Sequence, residues 1–176
     1  MKKWLPGYHC PVVLVDHHHL VLPDRVKYAR IHPHSFVYHI DQHSDLHDNP
    51  YDLDLTQIHN DTYLEEFTQQ YCNVGNFIQP LTRSNIITHV EQIRTERKLT
   101  TTQREDHIHT HAPHGYILDI DLDFWAPEMS ISDIPTTYHQ TALLFAHASL
   151  VTIATSPGFI KQDIAAETLE ALRRYL

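Results

Sequence analysis

Four short apolar runs punctuate the chain, and each stops at an acidic, polar or turn residue. Residues 11–15 (PVVLV) end at Asp16 and residues 36–40 (FVYHI) end at Asp41. Residues 116–118 (YIL) run into the acidic segment Asp119 to Asp123, and residues 150–154 (LVTIA) end at Thr155-Ser156-Pro157-Gly158. Short β-branched runs bounded by polar or turn residues predict buried strands. Helical spacing marks three other stretches. Residues 61–72 carry Leu64, Phe67 and Tyr71 on one face, with Asn60 or Asp61 as the cap. Residues 136–148 place Tyr138, Ala142, Phe145 and Ala146 at helical intervals, and residues 161–175 turn Ile164, Leu169 and Leu172 inward. Arg173 and Arg174 close that last helix and suit the negative end of its dipole. Periodicity leaves residues 86–94 open between strand and helix. The polar, Thr- and His-rich residues 95–114 read as a surface excursion.

Strands alternating with helices predict an α/β fold, three-layered around a mostly parallel central sheet, and a single domain over residues 1–176. Ligands of such sheets sit outside the carboxyl ends of the strands. Acidic and histidine residues stand at three of those ends: Asp16-His17-His18-His19, Asp41 to Asp45, and Asp119 to Asp123.

Charge narrows the function classes. Thirteen Lys+Arg against 22 Asp+Glu give a formal net charge of −9, which lacks the basic footprint of a nucleic-acid binder. It favours a cationic substrate, or carboxylates gathered around cations. No apolar run approaches the ~18–20 residues of a membrane span. The opening MKKWLPGYHC lacks the apolar core of a signal peptide, and the two cysteines, Cys10 and Cys72, form no framework, so a cytoplasmic location is expected. Most of the 17 histidines, including His107, His109, His111 and His114, read as a pH-sensitive surface.

Three segments ask for more. In His39-Ile40-Asp41-Gln42-His43-Ser44-Asp45, the side chains of Asp41, His43 and Asp45 alternate and share a face of an extended chain. In Leu118-Asp119-Ile120-Asp121-Leu122-Asp123, three carboxylates do the same between apolar neighbours. Converging like charges on an otherwise buried strand call for a compensating cation. One histidine from the third segment (Asp16-His17-His18-His19), the D-x-H-x-D trio and a D-x-D pair supply six ligands, four of them carboxylates, which match the charge of two divalent cations. Oxygen-rich ligation with some imidazole favours manganese, and ions ~3.5–4 Å apart can activate a shared water. His17 and His18 are alternative ligands at this stage, as are the registers Asp119/Asp121 and Asp121/Asp123.

These segments resemble, in chain order, the metal motifs of the ureohydrolase (arginase-like) superfamily. The resemblance implies an arginase-like fold and two Mn2+ ions. His17 would bind the first, Asp41 and Asp119 would bridge both, and His43 and Asp121 would bind the second. Asp45 would bind the first ion and accept a hydrogen bond from the nucleophile, a catalytic role. Within the superfamily the stretches VDHHHLVLP, HIDQHSDLH, VGNFI, LDIDLDFW and TIATSPGF are similar to a compact branch that includes peptide arginases. That branch implies an arginine-containing, ribosomally made precursor peptide as substrate, with ornithine and urea as products. His47 stands where larger arginases use an asparagine on the carboxylate of a free amino acid, which fits a peptide. Leu14-Val15 replaces their Gly-Gly, Phe124 replaces the proline of their Asp-Pro, and Thr155-Ser156-Pro157-Gly158 replaces the segment with their guanidinium-holding glutamate. The guanidinium-binding residue is therefore unassigned, with Asp123 a candidate. Two rivals are a deacetylase-like amide hydrolase with one zinc and a non-catalytic metal-binding protein. Gly75-Asn76 can form a turn near the site, and Ser156, without a G-x-S-x-G elbow, is not read as a nucleophile.

Overall fold

The computed structural model describes residues 2–32, 35–102 and 115–175. His107, His109, His111 and His114 lie outside the described residues. A six-stranded sheet runs through the molecule in the order β1-β2-β6-β5-β3-β4. Its strands are β1 (Lys2–Leu5), β2 (Val12–Val15), β3 (Ser35–Ile40), β4 (Ile87–Ile93), β5 (Ile117–Asp121) and β6 (Leu150–Ala154). β1 lies antiparallel to β2, and every other pairing is parallel. The four apolar runs of the sequence are β2, β3, β5 and β6. All four are buried along their whole length, as strands covered on both faces must be.

Helices cover those faces. Leu99 of α4 (Glu96–Thr102), Leu144 and Phe145 of α5 (Ile134–Phe145) and Leu172 of α6 (Gln162–Arg173) pack on Tyr38, Ile40, Leu118, Ile120 and Val151. On the other face, Val26 of α1 (Leu22–Ile31), Leu64 and Phe67 of α2 (Asp61–Tyr71) and Ile78 and Leu81 of α3 (Ile78–Arg83) pack on Val13, Val15, Val37 and Ile117. The expected three-layer α/β arrangement is thus observed.

The undecided stretch 86–94 is the edge strand β4, whose outward residues are polar because only β3 flanks it. Part of the expected surface excursion is α4, anchored by buried Leu99 and Thr102. α1 has no counterpart in the apolar pattern. It turns Asp24 and Arg25 inward together with Val26 and Ala29, so a polar pair interrupts its buried face. Pro23 sits in its first turn, where a missing N–H costs no helical bond.

Candidate metal centre

The face of the sheet beneath α1–α3 changes character along the strands. Near the amino ends it presents Val13, Val37, Ile117 and Leu150. Two residues further on, period-two alternation brings His39, Asp119 and Thr152 to that face in one cross-strand row. Two further on come Asp41 and Asp121. β2 stops at Val15, and a 3-10 turn over His18–Val21 delivers His18 over the same face. Asp45 reaches it from the loop after β3 with a φ of +53°, a left-handed conformation uncommon outside glycine and typical of functional sites.

His18 is at the centre. Its Nδ1 lies 3.0 Å from Asp41 Oδ2 and 3.2 Å from Oδ2 of both Asp45 and Asp121, and its Nε2 lies 2.8 Å from Asp119 Oδ2. On the outer side, His43 Nδ1 is 3.1 Å from Asp123 Oδ2 and 3.5 Å from Asp41 Oδ1. Asp123 belongs to the 3-10 turn Leu122–Trp125, and its N–H donates to Asp121 Oδ1 at 3.0 Å. The hydroxyl of Ser156 donates to Asp121 Oδ2. Among the described residues, four overlapping trios have donor atoms within 4.8 Å of one another: His18-His39-Asp119, His18-Asp41-Asp121, His39-Asp41-Asp45 and Asp41-His43-Asp123.

Five buried carboxylates (Asp41, Asp45, Asp119, Asp121 and Asp123) face one buried guanidinium, that of Arg25. Burial alone would raise Asp41, Asp45, Asp119 and Asp123. For Asp119 that push is overcome by Arg25 and His18, which hold its pKa well below the usual range. Hydrogen bonds from His18 and His43 likewise hold Asp41 down. Asp45 is raised by burial, and Asp123 is pushed up to about 8 by burial and by the charges of Asp121 and Asp41. His43 rises to about 9, chiefly through its hydrogen bond to Asp41. Burial disfavours a charge on His18, but Asp119, Asp121 and Asp41 raise its pKa well above the usual value.

The donor set fits divalent cations. Oxygens and imidazoles converge, and two buried atoms, Asp45 Oδ2 and His39 Nε2, face the cluster without a hydrogen-bond partner among the described residues. Five carboxylates less one guanidinium leave four negative charges, the charge of two dications. Stripped of metal, the site is instead held together by protons. Asp123 and His43 take up protons more readily folded than unfolded, so their contribution to stability is present at low pH. It is lost as pH rises, between about 4 and about 8 for Asp123 and between about 6.5 and about 9 for His43. Thermal unfolding of the chelated protein should therefore show a falling melting temperature from pH 6 to pH 9. A melting temperature that rises over that window would contradict this electrostatic picture.

No protein-family model matches the sequence, and no curated protein is matched by it. Solved structures do match. Native arginase from Bacillus caldovelox superposes with a TM-score of 0.53 at 16% identity, covering 95% of this chain and 68% of that one. Arginase from Bacillus subtilis gives 0.55 at 15% identity, covering 95% and 70%. Proclavaminate amidino hydrolase from Streptomyces clavuligerus gives 0.55 at 11% identity, covering 93% and 63%.

The chain has the arginase fold.

In this arginase fold the structure gathers Asp41, His43, Asp45, Asp119 and Asp121 of the residues singled out in the sequence. It does not bring His17 to them: that side chain is exposed, one step before the 3-10 turn, and buried His18 occupies the place expected of it. Asp119 joins the cluster through His18 and His39. It lies one strand step below Asp121, and its oxygens are taken up by Arg25, His18, His39 and Thr152. Both registers left open stay represented, since Asp119, Asp121 and Asp123 each enter one of the donor trios. His39 and Arg25 were missed. His39 precedes Asp41 by two residues on the same strand face and could have been found by extending the alternation backwards. Arg25 gave no signal.

A cavity of about 320 Å3 opens beside the cluster. Asp45, Asp121 and His43 form its inner end, and Val74-Gly75, His47, Arg94 and Phe159 its walls. The turn at Gly75-Asn76 does bring backbone to the site: Gly75 accepts the His47 N–H at 2.8 Å. A Cβ at Gly75 would stand 3.0 Å from the His47 ring, so any side chain there crowds the wall. Asp123, the candidate guanidinium holder, faces Gln42 and His43 and is absent from the described lining of this cavity.

Proposed function

We propose that this chain is a metal-dependent hydrolase of a guanidinium C–N bond, and that its substrate is an arginine side chain within a peptide. One observation carries the reading: a buried, charge-balanced cluster for two dications, presented at strand ends of an arginase fold, opens directly on a cavity. His18, Asp41, Asp45 and Asp121 would hold one ion, and Asp41, His43, Asp121 and Asp123 the other. The oxygen-rich set favours manganese. Bound there, the pair would supply Lewis acidity and lower the pKa of water enough to give a nucleophile at neutral pH.

The protein's own groups do the rest. Asp45 Oδ2, buried and without a hydrogen-bond partner among the described residues, would orient the attacking water and accept its proton. Arg94 is pinned by the Gln42 carbonyl at 3.0 and 3.1 Å. Its charge on the wall repels a guanidinium, which therefore points to the Asp45/Asp121 end. Water adds to the guanidinium carbon, the C–N bond to the side chain breaks, and a proton passes to the departing amine. A guanidinium and water thus become urea and an ammonium group, which on arginine is ornithine. Acidic surroundings attract such a substrate, and a peptide bond removes the α-carboxylate that a larger arginase would have to bind. The candidate peptide is a ribosomally made precursor.

Manganese-loaded protein incubated with an arginine-containing peptide should release urea, and the peptide should lose the mass of CN2H2 per converted arginine. Absence of urea from peptides, free arginine and agmatine alike would remove this reading. Turnover of free arginine alone would remove the peptide substrate.

A further inference from the structure

Beneath the cluster lies a second polar layer that the proposed reaction does not use. Thr152, Asp119 and His39 are register neighbours across β6, β5 and β3. Arg25 descends on them from α1, wholly buried, its guanidinium 4.9 Å from the Phe77 ring centroid and ion-paired to Asp119. Nε and Nη1 of Arg25 find no hydrogen-bond partner among the described residues. A pair desolvated to this degree is poor value as a stabiliser, because apolar side chains of similar volume do as well or better. What the pair does is fix one carboxylate. Asp119 Oδ2 lies 2.8 Å from His18 Nε2 and 2.6 Å from His39 Nδ1, while Oδ1 accepts the Thr152 hydroxyl at 2.5 Å.

An ionised carboxylate only accepts hydrogen bonds, so both of those ring nitrogens carry protons. On His39 the opposite nitrogen is left as a lone pair, whereas His18 Nδ1 donates to Asp41 at 3.0 Å and would become one where a cation replaces that proton. His18 Nδ1 faces Asp41, Asp45 and Asp121. His39 Nε2 is buried, without a hydrogen-bond partner among the described residues, 3.4 Å from Asp41 Oδ2 and 3.9 Å from Asp45 Oδ2. We infer that Asp119, clamped by Arg25, is a positioning residue that sets the tautomers of two imidazoles, and that it presents His39 Nε2 as a further metal donor beside Asp41 and Asp45. This rests on the reading of the cluster as a metal centre. A carboxylate behind a ligating imidazole fixes the ring and raises its basicity, and loss of such a partner costs roughly 10–100-fold in metal affinity.

Cobalt(II) tests it without recourse to turnover. The full chain is loaded with Co2+, and ion count, affinity and visible d–d spectrum are compared for the wild type, His39→Asn, Asp119→Asn and the double variant. Two ions are expected in each, with one bound roughly 10–100-fold more weakly in either single variant and with a changed spectrum in both. The double variant should fall short of the product of the two single losses, since Asp119 acts in part through the His39 imidazole. A wild-type spectrum and affinity in His39→Asn would overturn the donor role. An unchanged Asp119→Asn would overturn the positioning role, as would its outright loss of an ion, which would make Asp119 a ligand itself. If Asp119→Asn does not fold because Arg25 is left unpaired, Arg25→Met with Asp119→Asn removes both charges and is judged by the same outcomes. A wild type that binds no ion refutes the metal centre itself, and the inference with it.

Discussion

Replacing Asp41 by asparagine should lower urea release by at least about a thousandfold and strip the protein of one or both ions. Asp41 is shared by three of the four donor trios, more than any other residue, so its loss disturbs both ion positions at once. Its carboxylate is also the partner of His18 at 3.0 Å and of the His43 N–H at 2.6 Å, and an asparagine that turned its amide toward either would offer a donor where an acceptor is needed. A paired substitution makes the result specific. His18→Ala should behave like Asp41→Asn, whereas His17→Ala should keep wild-type activity, because the His17 ring is exposed and outside the cluster. Steady-state urea assays with elemental analysis of each variant decide the matter. Loss of activity in His17→Ala with retention in His18→Ala would reverse the assignment.

Chelation should cost the protein much of its thermal stability. With free metal a thousandfold above its dissociation constant, binding at a single site contributes about 4 kcal/mol. For a chain of this size that corresponds to a melting temperature lower by roughly 8–16 °C on chelation. The physical source is the layer of five buried carboxylates, which without cations keep only Arg25, the imidazoles and bound protons to offset their repulsion. Calorimetry with and without chelator at pH 7 measures the shift. An unchanged melting temperature would mean that the carboxylates are compensated by something other than metal.

Much of this architecture is legible in the sequence, because a buried parallel strand writes itself as an uninterrupted apolar run. β2, β3, β5 and β6 are such runs, and the acidic residue that ends each of the first three marks the carboxyl edge where the site lies. Strand parity also placed Asp41 correctly, and Asp119 and Asp121 on a common face. Parity does not report depth, however. Asp119 is opposite His39 and Thr152 in the register, one step inside the sheet, and this pairing is a non-local fact. Nor does parity survive the end of a strand. Counting on from Val15 favours His17, but the backbone leaves extended geometry there and the 3-10 turn rotates His18 into the cluster. α1 was illegible for a related reason: its inward face carries Asp24 and Arg25, whose partners Lys2 and Asp119 lie far away in the chain.

The most direct test of the paired-cation centre is anomalous diffraction from crystals of the manganese-loaded protein, collected near the manganese absorption edge. Two anomalous peaks are predicted among His18, Asp41, Asp45, Asp121, His43 and Asp123, at the carboxyl ends of β3 and β5. No peak in that layer at saturating manganese, or peaks only at the surface histidines, would contradict the account.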